Sequence, residues 1–216
     1  MDPPLQIRAR RARLEVASGK LRGEPLLALL RAIPERDRDD FVDVLLGIDG
    51  PIPHDMPYLP RGAVPYLPCA IDDVVTMVTE VPLREDDELV DLGSGLGRVA
   101  IVAHLLSGAR ARGVEIQGHL CRGAQAVARD LRLPGVSFVR ANAAEIALDG
   151  SVFFLYAPFN GELMTRVLES IHEVADRRRV VVCSVGVEFP DETWLVRRDV
   201  ASVTLSVYDA RGFKEN

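Results

Sequence analysis

The chain has 216 residues, 48% of them hydrophobic and 27% charged, with a formal net charge of −6 at pH 7. Enough apolar residues are present for a full core, which excludes a chain dominated by disorder. The acidic balance argues against a general nucleic-acid binder, because affinity for phosphate backbones comes from accumulated Lys and Arg.

Leu5–Ser18 and Pro25–Ile33 carry apolar residues at helical spacing, and Pro34 opens a further helix through Asp40 to Leu46 that Gly47 and Gly50 stop. Residues 1–65 are read as a helical cap and Pro-rich loop packed over a sheet edge, ahead of a ligand-binding domain at 66–216. Arg8, Arg10, Arg11 and Arg13 form one basic cluster and Arg177, Arg178 and Arg179 another. Runs this short usually lie on solvated surface, so nucleic acid is not an expected partner. The stretch Gly50–Gly62 is too rich in proline for a helix or central strand and long for a passive connection. It reads as a surface linker, or as a lid presenting His54, Asp55 and Tyr58 to a substrate.

Beyond Tyr66-Leu67-Pro68-Cys69 and a helix expected over Ile71–Val81, the apolar strand Leu89–Leu92 runs through Gly93-Ser94-Gly95-Leu96-Gly97 straight into another helix. Glycines in such a turn let a ligand lie against bare main chain, with the N–H groups of the following helix directed at it. A dinucleotide fingerprint would place a small residue where Arg98 stands. The pattern instead is G-x-G-x-G behind an acid, Asp91. A carboxylate there would repel a pyrophosphate but suits the ammonium of an amino-acid tail. That points to S-adenosylmethionine as cofactor, with Asp91, Gly93, Ser94, Gly95 and Gly97 as candidate binding residues.

The next strand, Ala111–Glu115, ends in a carboxylate roughly 20 residues on, where an α/β unit places the acid that accepts from the ribose hydroxyls. Glu115 is the expected ribose clamp. A third strand from Val136 leads to Asn142 and Ala143, and Asn142 offers an amide oxygen to an adenine amino group. Taken singly, Glu115 reads as a solvated strand end and Asn142 as a turn residue or helix N-cap. Their order and spacing carry the cofactor reading. Ser151–Tyr156 is a continuous apolar run suited to a buried central strand, and it opens into the tip Ala157-Pro158-Phe159-Asn160. A helix over Glu162–Ala175 and a strand over Arg179–Val185 follow, then two alternating runs, Thr193–Arg198 and Ser202–Tyr208, suited to a terminal antiparallel pair. The expected fold is α/β: a Rossmann-like, doubly wound, mostly parallel seven-stranded sheet with a terminal antiparallel strand, plus the N-terminal helical cap.

From about Tyr66 to the C-terminus this order of motifs resembles the class I S-adenosylmethionine-dependent methyltransferases. Within that superfamily, Tyr66-Leu67-Pro68-Cys69, the helix Ile71–Val81 and the stretch Asp86 to Gly95 resemble two groups of protein-lysine methyltransferases. One is the non-SET histone-lysine family; the other acts on mitochondrial membrane proteins such as the ATP synthase c subunit, and Val207-Tyr208-Asp209-Ala210 is similar to it as well. The resemblance implies direct in-line transfer to an amine such as a protein lysine side chain, without a covalent protein intermediate. Amino-directed enzymes hold the nitrogen with main-chain carbonyls and an aromatic face at the tip. Here that assigns Tyr156, Pro158 and Phe159 to the acceptor, with Tyr66 completing an aromatic pocket whose poor hydration lowers an amine pKa. Tyr156 also borders the cofactor.

The tip departs from both patterns, reading Tyr156-Ala157 where histone-directed enzymes carry Asn-rich residues and nucleic-acid enzymes Asp, Asn or Ser. Two alternatives stay open: a small-molecule methyltransferase acting on nitrogen, oxygen or carbon, and a non-catalytic cofactor-binding module. The acceptor is thus a protein or a small molecule, and a homodimer is admitted. Cys69, Cys121 and Cys183 are far apart, and His54, His104, His119 and His172 lack ligand spacing, so neither disulfide nor metal is expected. No apolar run reaches the roughly 20 residues that span a bilayer, and no N-terminal segment reads as a leader, so a cytoplasmic protein without membrane insertion is expected.

Overall fold

The computed structural model describes residues 1–187, 189 and 192–212. The remaining positions of the expected 66–216 domain, 188, 190, 191 and 213–216, lie outside that description. Three helices come first, α1 (Pro3–Ala17), α2 (Gly23–Arg31) and α3 (Glu35–Leu46). Asp2 caps α1 by accepting from Leu5 N at 2.9 Å. Gly47 ends α3 at φ 75°, where its N–H closes on Asp43 O at 2.8 Å. Asp39 of α3 then caps α4 (Ile71–Glu80), accepting from Ile71 N at 2.9 Å.

The sheet has seven strands in the order β3 (Val136–Arg140), β2 (Arg110–Glu115), β1 (Glu88–Leu92), β4 (Val152–Tyr156), β5 (Val181–Val185), β7 (Leu205–Ala210) and β6 (Leu195–Arg197). All pairs are parallel except those of β7, which runs against both β5 and β6. Strand β7 starts later than the alternation over Ser202–Tyr208 suggests. The reason is local: Ser202 Oγ accepts from Leu205 N at 3.0 Å and Thr204 N at 3.3 Å, turning the backbone before pairing begins. Strand order reverses between β1 and β4, so the carboxyl ends of these two neighbours diverge and leave a crevice.

Side chains alternate across the strands. Leu89, Phe154, Cys183 and Val207 join a core with α4, α5 (Arg98–Ser107) and α6 (Gly118–Asp130), while Val90, Leu92, Phe153, Leu155 and Val182 meet α7 (Gly161–Ala175). Helix α5 is buried at every position from Arg98 to Leu106. A helix apolar on all sides must be covered on all sides. The sheet covers one side of α5 and the helices α2 and α4 pack against it as well. The N-terminal helices therefore lie on the outer side of α4 and α5, not over the sheet edge as the sequence suggested, and share one continuous core with them.

Arg98 heads this largely apolar helix and is buried at 4% exposure. Its guanidinium donates to Asp39 Oδ1 at 2.9 Å and Cys69 O at 2.8 Å, and to Asp43 through Nε at 3.1 Å and through Nη2. Replacing it with methionine leaves two carboxylates without their cation. Because Asp39 is 51% exposed, the expected cost is about 2–3 kcal/mol, less than the roughly 3–5 of a fully buried pair. Urea unfolding of Arg98→Met should show that loss.

Candidate functional site

A cavity of about 240 Å³ opens at the carboxyl ends of β1, β2 and β4. Its walls are the segment 63–67, Gly93, the end of β2 from Val114 to Gln117, residues 141–143 and the tip 156–159. Beside it, a crevice of about 20 Å³ lies over Asp91, Ser94 and Val99, with Tyr66 and Tyr156 shared between the two.

The glycine turn fits what presses on it. A Cβ on Gly93 would stand 2.5 Å from Pro158 Cβ, and one on Gly95 only 2.1 Å from the Tyr66 ring, so bare backbone is required at both. Gly97 differs. Its open side meets Phe138 of β3 and Ala124 of α6, and it lines neither space. The third glycine thus sets how closely β3 and α6 approach the turn.

Asp91, at the end of β1, is buried at 2% exposure, and its Oδ2 has no partner. Burial pushes its carboxyl up to about 7, against the pull of the Ala100 N–H in the first turn of α5. Ser94 Oγ, at the same crevice, is also buried and unpartnered. Glu115 ends β2 with both oxygens engaged: Oε2 accepts from Gly95 N at 2.8 Å and Oε1 from Gln117 N at 2.7 Å. Burial raises its pKa while these N–H groups lower it. Two donors fix its orientation, and each carboxylate oxygen keeps a further lone pair for a ligand.

Asn142 lines the cavity but also closes a turn, accepting from Ala144 N at 3.1 Å and donating to Glu145 at 2.8 Å. Ala143 beside it is buried in the wall. At the tip, Ala157 holds φ 41°, uncommon outside glycine. The segment before Tyr66 clamps it: Val64 N donates to Pro158 O at 3.1 Å and Asn160 N to Gly62 O at 2.8 Å. The Pro158 carbonyl, expected to face an acceptor, is thus engaged by Val64. Phe159 and Tyr156 line the cavity, and burial raises the Tyr156 phenol. Tyr66, resting on Gly95, is pushed by burial up to about 12.

Of the Pro-rich loop, His54 and Tyr58 are exposed and line neither space. Asp55 turns inward instead. Its Oδ1 accepts from Gln117 Nε2 at 2.6 Å and from Tyr66 N at 2.9 Å, and Gln117 Oε1 accepts from Met56 N at 2.8 Å. Gln117 and Arg98 were not singled out from the sequence as site or scaffold residues. The available signal was a polar side chain just past a strand-end acid and a lone cation heading an apolar helix. Among the described residues no cluster of His, Cys, Asp or Glu is arranged to hold a metal, and no helix is long and apolar enough to cross a membrane.

The family described as Histone methylation protein DOT1 matches residues 66–154. An RNA methyltransferase from Salinibacter ruber, solved with S-adenosyl-L-homocysteine, is 25% identical with a TM-score of 0.52, the match covering 69% of this chain and 96% of that one. The putative methyltransferase yhhF from Escherichia coli is 16% identical at TM-score 0.54, over 72% and 92% of the two chains. Magnesium protoporphyrin IX methyltransferase from Synechocystis PCC 6803, solved with bound S-adenosylmethionine, is 15% identical at TM-score 0.50, over 65% and 77%. At such identities the last two speak to the fold. No curated protein matches the chain.

Asp91 makes stability pH-dependent. Its carboxyl sits at about 7 when folded against 3.8 ordinarily, so its contribution is favourable in acid and is lost as pH rises from about 4 to about 7. Asp91→Asn should therefore match the parent in urea unfolding near pH 4, grow more stable than it up to about pH 7, and keep a constant margin above that.

Proposed function

We propose an amine nitrogen, such as that of a protein lysine side chain, as the methyl acceptor of this chain, which is a class I methyltransferase that uses S-adenosylmethionine. The observation that carries the amine-on-a-chain reading is the aromatic and apolar lining that Tyr66, Tyr156, Pro158 and Phe159 give the cavity. In this reading the acceptor enters between these rings as a slender side chain whose body stays outside. The histone-methylation description of the matching family supports a protein acceptor.

The residues fit the cofactor. An ammonium needs an anionic oxygen with a free lone pair, and Asp91 keeps one, buried and unpartnered. In this reading Asp91 and Ser94 hold the amino-acid tail and Gly93 lies under it, while Gly95, whose N–H is spent on Glu115 and whose open side is covered by Tyr66, and Gly97 shape the turn from outside. Glu115 takes the ribose; Asn142 and Ala143 border the adenine, with the second lone pair of Asn142 Oδ1 as acceptor.

When bound, S-adenosylmethionine supplies an electrophilic methyl group on its sulfonium. The chain's own task is placement and drying. Tyr66, Tyr156, Pro158 and Phe159 form the aromatic and apolar rim that orients the nitrogen and excludes water, and a dry rim favours the uncharged amine over the ammonium. Both phenols are raised by burial, so they stay neutral and offer hydroxyl dipoles rather than charge. Positioning alone lowers such barriers by roughly 7–11 kcal/mol in favourable cases.

Labelled methyl groups should pass from S-adenosylmethionine to lysine-containing proteins or peptides. Transfer confined to metabolite hydroxyls or carbons would replace the amine reading, and binding without any transfer would mark a non-catalytic module. Glu115→Ala removes charge-assisted bonds worth roughly 1.5–3 kcal/mol each, so calorimetry on the folded variant should show cofactor binding at least about tenfold weaker. Tyr156→Ala should slow transfer more than it weakens cofactor binding; an equal loss in both would remove it from the acceptor side.

A further inference from the structure

Gln117 occupies an unusual place. It is the N-cap of α6, yet its side chain makes no capping bond, and glutamine is not among the residues that cap helices well. The side chain points instead into the Pro-rich segment and is buried at 2% exposure. Apart from its carbonyl, which accepts from Cys121 N within α6, its bonding runs two ways. Through its main-chain N–H it holds Oε1 of Glu115; through its amide it holds Asp55 and the N–H of Met56, and Asp55 in turn holds the N–H of Tyr66.

The segment from Asp55 to Leu67 is a strap across the mouth of the site. Its far end is pinned to the tip through Val64 and Gly62, and residues 63–67 wall the cavity. Its near end is pinned by one side chain, Gln117. We propose that Gln117 is a positioning residue that couples occupancy of the cofactor site to the setting of this strap, and with it to Tyr66 and the acceptor entrance. A ligand hydroxyl bonded to Glu115 adds a further hold on the carboxylate that Gly95 N and Gln117 N already orient, which steadies the main chain at Gln117, and the amide transmits that to Asp55 and Met56. This rests on Glu115 being the ribose-binding acid.

The test is amide hydrogen exchange over residues 53–66, with and without saturating S-adenosylhomocysteine, alongside calorimetry with the same ligand. In the parent protein the ligand should slow exchange of this segment at least about fivefold. In Gln117→Leu the ligand should still bind, more weakly, but should no longer slow exchange there, and the KM for the acceptor should rise more than kcat falls. A purely structural tether would raise exchange in the free protein and leave the ligand-dependent slowing intact; that result overturns the proposal, as does a parent protein that binds the ligand without slowing. A parent that fails to bind S-adenosylhomocysteine would instead remove the cofactor assignment of Glu115. If Gln117→Leu does not fold, the reversed pair carries the test. Gln117→Glu alone sets two carboxylates together and should abolish the slowing, and adding Asp55→Asn should restore it. A pair no better than the single variant overturns the coupling.

Discussion

The guanidinium of Arg98 is the constraint on which the rest of the molecule is built. It stands at the first turn of α5, directly after the glycine turn, and binds two carboxylates of α3 and the carbonyl of Cys69. Asp39, one of those carboxylates, also caps α4. One cation therefore ties together the N-terminal helices, the start of α4, the entry to the helix behind the glycine turn and, through Cys69, the residues that follow the strap. A charge this deeply buried persists only when paired, which makes the arrangement all-or-none.

On that frame the site sits where strand order reverses between β1 and β4. The crevice there is narrow because Pro158 of the tip lies against Gly93 of the turn, so the glycine turn and the tip are in contact across it. Ala157 keeps its left-handed backbone because the strap holds the residues on its far side. Glycine turn, strap and tip thus border the cavity together, each in contact with the other two.

Much of this was legible in the chain. The seven strands and their helices follow from runs of apolar residues that change period at glycine and proline. Asp91 and Glu115 follow from strand ends at fixed spacing. What was not legible depends on long-range contact. Spacing cannot say whether a glycine serves a ligand or a neighbour, and Gly97 serves Phe138 and Ala124. Nor can a linear reading pair Gln117 with Asp55, 62 positions away, or tell that a proline-rich stretch with polar side chains faces inward at Asp55 and outward at His54 and Tyr58. The alternation over 202–208 hid a serine turn, because hydroxyl-to-backbone bonds leave no mark on hydrophobic period.

The covering of α5 by helices that precede it also bears on synthesis. Leu26 and Leu30 of α2, the helix that packs against α5, are buried in the core that contains it. They leave the ribosome about 70 to 80 residues before α5 does, at roughly 5–20 residues per second. For several seconds the nascent α2 therefore carries an apolar face whose partner has not yet been made, and that interval is when a nascent-chain chaperone has most to shield.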